Sequence, residues 1–118
     1  MGQSQSLKMK DLIPELKRIV GDDYVLDDQA DLLVYEYDGS IDRGNPVVVV
    51  LPDTAKEISQ VLKLARLNSL PVVARGAGTG LSGGAIAEHG GIVLSMARMN
   101  QILEVNRSDR YAIVEPGV

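Results

Sequence analysis

Pro71-Val72-Val73-Ala74-Arg75-Gly76-Ala77-Gly78-Thr79-Gly80-Leu81-Ser82-Gly83-Gly84-Ala85 begins the stretch, ending at Gly91, on which the reading of this chain turns. An apolar, β-branched lead-in runs into a coil in which seven glycines fall between Gly76 and Gly91. Ordered glycine gives up roughly 0.5–1 kcal/mol against alanine, so the run costs about 3.5–7 kcal/mol, on the scale of the roughly 5–15 kcal/mol that holds a domain together. Such a coil needs a compensating role. Without Cβ atoms, successive N–H groups can turn inward as a concave nest for anionic oxygens, and Thr79 and Ser82 add hydroxyl donors. The charge pattern agrees: of 16 acidic residues none lies between Glu57 and Glu88, whereas Lys63, Arg66 and Arg75 do. This is a local positive field within an acidic chain. The stretch reads as a phosphate or pyrophosphate cradle rather than a merely tight surface loop.

Two familiar phosphate loops do not fit. Gly78 to Gly83 is a literal G-x-G-x-x-G, but the dinucleotide fold needs a helix to open directly behind it. Ala85-Ile86-Ala87-Glu88-His89 leaves barely one turn before Gly90-Gly91, too little for a helix dipole aimed at the phosphate. No Lys-Ser or Lys-Thr follows the glycines, which removes the Walker A loop. What remains is a strand, a long glycine coil and another strand.

Working outward, Val47-Val48-Val49-Val50-Leu51, closed by Pro52, is an uninterrupted β-branched run and predicts a strand buried on both faces of a parallel sheet. Thr54-Ala55-Lys56-Glu57 is a capping box, with the hydroxyl and carboxylate each satisfying an N–H of the other. The helix behind it should bury Ile58, Val61, Leu62, Ala65 and Leu67 and end near Asn68, ahead of Pro71. Strand, helix and strand then form a right-handed crossover, and the glycine coil leaves the carboxyl end of a parallel strand. Ile92 to Ser95 is a third strand. Met96, Met99 and Ile102 read as core contacts, and Leu103–Asn106 with Tyr111–Val114 as an antiparallel hairpin around Arg107-Ser108-Asp109-Arg110. Pro116-Gly117 ends it, leaving the new edge after Val118 uncovered. Upstream, Lys8 to Val20 is an amphipathic helix that should start close to Pro14 and stop at Gly21. Asp27 and Asp28 are candidate caps for a short helix through about Val34, followed by a surface connection over Tyr35 to Asn45.

These stretches together resemble the vanillyl-alcohol-oxidase/PCMH family of FAD-linked oxidases, and within it the glycolate oxidase and D-lactate dehydrogenase branch. The glycine coil is the most specific part. Tyr35-Glu36-Tyr37-Asp38, Pro46 to Pro52 and Ile113 to Val118 also fit, so the resemblance covers nearly the whole chain. It implies an α/β (α+β) fold: a small mainly parallel sheet with flanking helices and a C-terminal hairpin, the first subdomain of a PCMH-type FAD-binding domain. Residues 1–45 would be a helical lead-in and 46–118 the incomplete first part of that domain. FAD would be held through Arg75, Gly76, Ala77, Gly78, Thr79, Gly80, Leu81, Ser82 and Gly83. Relatives that attach flavin covalently through this coil carry His where Thr79 stands, so the resemblance implies non-covalent FAD. It also implies hydride transfer from a 2-hydroxy acid, with catalytic and substrate groups on a later domain that this chain lacks, so that the fragment alone is expected to turn over nothing.

The rest of the composition narrows the field. At 118 residues the chain is one domain or less, and 45% apolar residues argue for a globular fold. A formal charge of −4 with no basic stripe disfavours nucleic acid. There is no cysteine, hence no disulfide, thiolate nucleophile or cysteine-held metal, which is compatible with a cytoplasmic location. No apolar run reaches membrane-spanning length and no secretory signal is visible. Met1-Gly2-Gln3-Ser4-Gln5-Ser6 matches a myristoylation pattern, yet short polar starts of this kind are common and carry no expectation of lipidation. The single histidine, His89, reads as a solvated loop residue, and the Asp22-Asp23 and Asp27-Asp28 pairs as helix-end and turn residues. No metal set and no nucleophile with its base can be assembled. Arg75 either pairs with phosphate or pins the coil to a neighbouring protein group. Two rivals remain: a non-enzymatic α/β interaction module whose open edge after Val118 recruits a partner or a second copy, and a free-standing nucleotide or phosphate-binding module.

Overall fold

In the computed structural model, residues 9–28, 47–76 and 91–118 are described. Helix α1 (Met9–Val20) leads through a short 3₁₀ turn at Asp22–Tyr24 into strand β1 (Val25–Leu26). Strand β2 (Val47–Val50), helix α2 (Ala55–Leu67), strand β3 (Val72–Arg75) and strand β4 (Gly91–Ser95) follow. Strands β5 (Ile102–Asn106) and β6 (Tyr111–Val114) close the chain. The short helix expected from Asp27 or Asp28 to Val34, the connection to Asn45 and the coil from Ala77 to Gly90 lie outside the described residues.

The valine run forms the strand its composition predicts. Val48, Val49 and Val50 are fully buried, and β2 pairs in parallel with β4, Val48 opposite Ile92 and Val50 opposite Leu94. On its other side β4 pairs in parallel with β3, Val73 opposite Val93 and Arg75 opposite Ser95. The order β1-β2-β4-β3 therefore seats the last parallel strand between the two that α2 connects. All five residues of β4 are buried. Strand β1, antiparallel to β2, was not expected from sequence; two residues are too few to show an alternation.

One face of the sheet, presenting Val48, Val50, Ile92 and Leu94, packs against Ile13, Leu16 and Val20 of α1 and Val61 and Ala65 of α2. Met96 and Met99 join this core as expected. The opposite face gathers Val49, Leu51 and Val93, with Leu26, Val73 and Ala97 against them. Both faces are apolar because β2 and the Ile92–Leu94 stretch of β4 follow one apolar side chain with another, the pattern of a sheet with two buried faces.

Four expectations are corrected. Helix α1 does not begin at Pro14 but at Met9, with Pro14 inside it. Leu12 and Ile13 are buried, and burying two such side chains returns roughly 3–6 kcal/mol, enough to offset the ~3 kcal/mol of an interior proline. In α2, Leu62 is 44% exposed and Leu67 81% exposed, while Leu64 is half-buried instead. The buried stripe is narrow, and Leu67 stands two residues past Ala65, about 200° round the helix. Ile102 is exposed because it belongs to the hairpin rather than the core. The capping box is half reciprocal: the Glu57 N–H donates to Thr54 Oγ1 at 3.1 Å, but Glu57 Oε1 accepts from the Asp53 N–H at 2.7 Å, one residue further back than the motif specifies.

The hairpin forms as expected but pairs, among the described residues, only with itself. Register places Ile102 opposite Val114 and Val105 opposite Ala112, so these four share one face, all exposed. The other face carries Glu104, Asn106 and Tyr111 together with Ile113, opposite Glu104; the Tyr111 hydroxyl donates to Glu104 Oε2 at 2.7 Å and accepts from Asn106 Nδ2 at 3.2 Å. A bulge between Ile102 and Glu104 accommodates the extra residue.

Two backbone positions give opposite predictions. Ser69, just past α2, has φ 54°, a left-handed conformation in which a side chain costs about 1–2 kcal/mol. Ser69→Gly should therefore stabilise the protein by about 0.5–1 kcal/mol, read as a higher urea midpoint at constant m-value. Gly91, with φ 126°, sits so close to Pro71 that a Cβ would lie 2.4 Å from its carbonyl oxygen. Gly91→Ala should lower stability by at least the ~1–3 kcal/mol of a strained backbone, in the same titration.

Candidate functional site

Because β2, β3 and β4 are parallel, their carboxyl ends converge on one edge of the sheet, the edge where open α/β sheets place ligands. The segments leaving there are Leu51–Asp53 after β2, Gly76 after β3 and the Met96–Met99 turn after β4. The expected exit of the glycine coil is thus observed: it departs at Gly76 from the carboxyl end of β3. It must return to Gly91 at the amino end of the adjacent, parallel β4. The 14 residues between the two strands meet the dozen or more that a parallel connection needs.

Arg75, the last residue of β3, is buried and engaged within the protein, and its carbonyl accepts the Met96 N–H at 2.8 Å. Gly76 is exposed and next in line. The other residues proposed from sequence, Ala77, Gly78, Thr79, Gly80, Leu81, Ser82 and Gly83, together with His89, lie outside the described residues.

Two contributors to this edge were missed from sequence. The first is the turn at Pro116-Gly117, which folds back against the β4 exit. The Gly117 N–H donates to the Met99 carbonyl at 2.8 Å, and a Cβ on Gly117 would stand 2.0 Å from the Met96 carbonyl oxygen. A Cβ on Gly76 would stand 3.5 Å from the Pro116 carbonyl oxygen, so this turn also borders the root of the coil. Its signal was the Pro-Gly pair, legible as a turn but silent about what it packs on. The second is Arg98, whose Nη1 donates to the Leu51 carbonyl at 2.9 Å and to that of Val20 at 3.5 Å. Its guanidinium carbon lies 3.5 Å from the centroid of the Tyr24 ring, and Nη2 lies 3.8 Å from Asp53 Oδ2. A lone cation within Met96-Ala97-Arg98-Met99 was the available hint.

The amino end of α2 also faces this edge, but it offers no open anion site at the groups described: the Glu57 N–H is taken by Thr54 and the Asp53 N–H by Glu57. Among the described residues no cluster of His, Cys, Asp or Glu could hold a metal ion. Among the described residues, the edge carries backbone groups of Gly76, Met96, Met99 and Gly117 and the buried Arg75.

Comparison with known proteins bears on the same edge. The family model described as FAD binding domain matches residues 46–118. Glycolate oxidase subunit GlcD of Escherichia coli K12 is 43% identical over 95 residues, covering 80% of this chain and 19% of the relative. D-lactate dehydrogenase of Archaeoglobus fulgidus is 51% identical over 71 residues, covering 60% and 16%. The chain thus spans about one fifth of the length of the curated relatives it matches. In fold, it is similar to 4-ethylphenol oxidase from Gulosibacter chungangensis, with a TM-score of 0.74 at 23% identity over 99% of this chain and 24% of that one.

The contact at Gly117 yields a prediction that needs no ligand. Its backbone lies on two carbonyls that β4 holds in place, so Gly117→Ala should displace the turn and cost about 1–3 kcal/mol, as overpacking does. Chemical denaturation checks this, with far-ultraviolet circular dichroism showing the sheet retained.

Proposed function

This chain belongs to the FAD binding domain family, in the PCMH-type FAD-linked oxidase superfamily, and from that premise we propose that it is the first part of the cofactor site of a flavin-dependent oxidoreductase acting on short 2-hydroxy acids of the glycolate or D-lactate type. Residues 1–45 are its lead-in and 46–118 the first part of the FAD-binding domain. The observation that carries this reading is the departure of the glycine coil from the carboxyl end of a buried parallel strand, with a buried arginine at its root.

The amides of Gly76, Ala77, Gly78, Gly80, Leu81 and Gly83 would grip the FAD diphosphate, assisted by the amides and hydroxyls of Thr79 and Ser82. Arg75 would hold the coil's root and add positive field. Thr79 offers no imidazole for a bond to the flavin, so the cofactor is held without a covalent link at this position. When bound, the flavin supplies the hydride-accepting chemistry, which leaves the protein to bind, orient and shield. Two of the relatives in the comparison are named for glycolate and D-lactate, and that supports the substrate class. Groups that contact such a substrate would come from sequence beyond the fifth of the relatives' length represented here.

In the full-length protein, Gly78→Val and Gly80→Val should each weaken FAD binding at least about tenfold, or 1.4 kcal/mol, because a branched side chain would stand where the diphosphate approaches the backbone. Flavin fluorescence titration measures it. Unchanged affinity in both variants would overturn the cradle. Anaerobic bleaching of the flavin by glycolate or D-lactate tests the substrate class, and failure of every short 2-hydroxy acid to bleach it would remove that part.

The exposed apolar face of the hairpin favours a second reading, a non-enzymatic module pairing with another copy of this chain along β5 or β6. A dimer in light scattering together with no FAD binding would select it.

A further inference from the structure

We propose that Arg98 is a positioning residue for the cofactor edge: it fixes the turn after β4, and through that turn sets the Pro116-Gly117 segment against the root of the glycine coil. This inference rests on the FAD reading above. Arg98 contacts none of the described residues of the coil, so its effect is relayed by backbone.

The relay can be followed atom by atom. The guanidinium is a planar fork of five donors, suited to bridging acceptors that do not themselves touch. Here it spans the Leu51 carbonyl, just past β2, and the Val20 carbonyl, at the end of α1, and its face covers the Tyr24 ring. A cation near the carboxyl end of a helix is also favoured by the helix dipole. The Asp53 carboxylate, 54% exposed and 3.8 Å away, adds little by itself. Three elements therefore hold Arg98 from one side of the sheet edge.

On the other side, the backbone of Arg98 lies within a closed turn in which the Met99 N–H donates to the Met96 carbonyl at 2.9 Å. The Met96 N–H in turn donates to the Arg75 carbonyl, and the Met99 carbonyl accepts the Gly117 N–H. A Cβ added to Gly117 would stand 2.0 Å from the Met96 oxygen, so the two backbones meet with no room for a side chain between them. Any shift of the turn must move Gly117, and with it the Pro116 carbonyl beside Gly76. A methionine at position 98 would fill much of the same volume over Tyr24 yet leave the turn untethered. Packing alone thus does not require the fork; holding the exits of β2 and β4 in register does.

The test uses the full-length protein with three variants. Arg98→Met should raise the FAD dissociation constant about tenfold, and Arg98→Lys, which keeps the charge and can reach one carbonyl, should recover part of that loss. Val61→Ala, in the core stripe of α2 away from this edge, serves as a control for lost stability. All are measured well below their melting temperatures. Amide hydrogen exchange at Gly117 without FAD supplies an independent readout, expected to quicken in Arg98→Met and not in Val61→Ala. The proposal is overturned if wild type binds FAD and Arg98→Met binds it equally well, or if Val61→Ala weakens binding as much at matched stability. Should wild type bind no FAD, the functional reading fails, and exchange at Gly117 decides this one: unchanged rates in both arginine variants overturn it.

Discussion

Pairing of β4 on both of its edges is the interaction on which the remainder depends. Gly91–Ser95 enters between two strands that a helix has already joined, and it satisfies the inner hydrogen-bonding edges of β2 and β3 at once. Without it, those edges would be open, and the fully buried Val48, Val49 and Val50 would lose their neighbours Ile92, Val93 and Leu94. Because the insertion is parallel, β3 ends and β4 begins at opposite ends of the sheet, and the glycine-rich segment is the connection that joins them.

Among the described residues, the carboxyl edge is built largely from contacts to the backbone. Arg75 and Met96 meet through carbonyl and amide, Gly117 rests on the carbonyls of Met96 and Met99, and Arg98 reaches two further carbonyls. Main-chain groups cannot change rotamer, so an edge made of them holds its geometry with few side-chain atoms in the way. Such an edge suits the proposed diphosphate site, where the chemistry would be left to the cofactor. The mixed α/β fold, with its parallel sheet, flanking helices and separate hairpin, is that expected of the first subdomain of a PCMH-type FAD-binding fold.

The hairpin follows different physics from the core. Its polar face is internally satisfied by Glu104, Asn106 and Tyr111, whereas Ile102, Val105, Ala112 and Val114 turn an apolar face outward. An isolated two-stranded ribbon is marginal in water, so this segment takes much of its order from the bonds at its base. There, the Glu115 N–H donates to the Gln101 carbonyl, and Glu115 Oε1 accepts from the Gln101 N–H.

Sequence by itself determined the local elements and gave the site its proposal. The unbroken valines predicted a strand buried on two faces, Thr54 could be recognised as a cap, and seven glycines, with no acid between Glu57 and Glu88, are what the proposed anionic ligand rests on; each is a property of residues adjacent in the chain. Tertiary structure alone decided the order of the strands, because whether β4 pairs outside β3 or between β3 and β2 depends on long-range hydrogen bonds with no local signature. It also decided that Pro14 lies inside a helix, since the gain comes from burying Leu12 and Ile13 against a distant sheet. Leu62 and Leu67 were misjudged for the same reason: their apolarity is local, but the width of the surface they face is not. Arg98 and Gly117 became meaningful only when carbonyls tens of residues away were brought within reach.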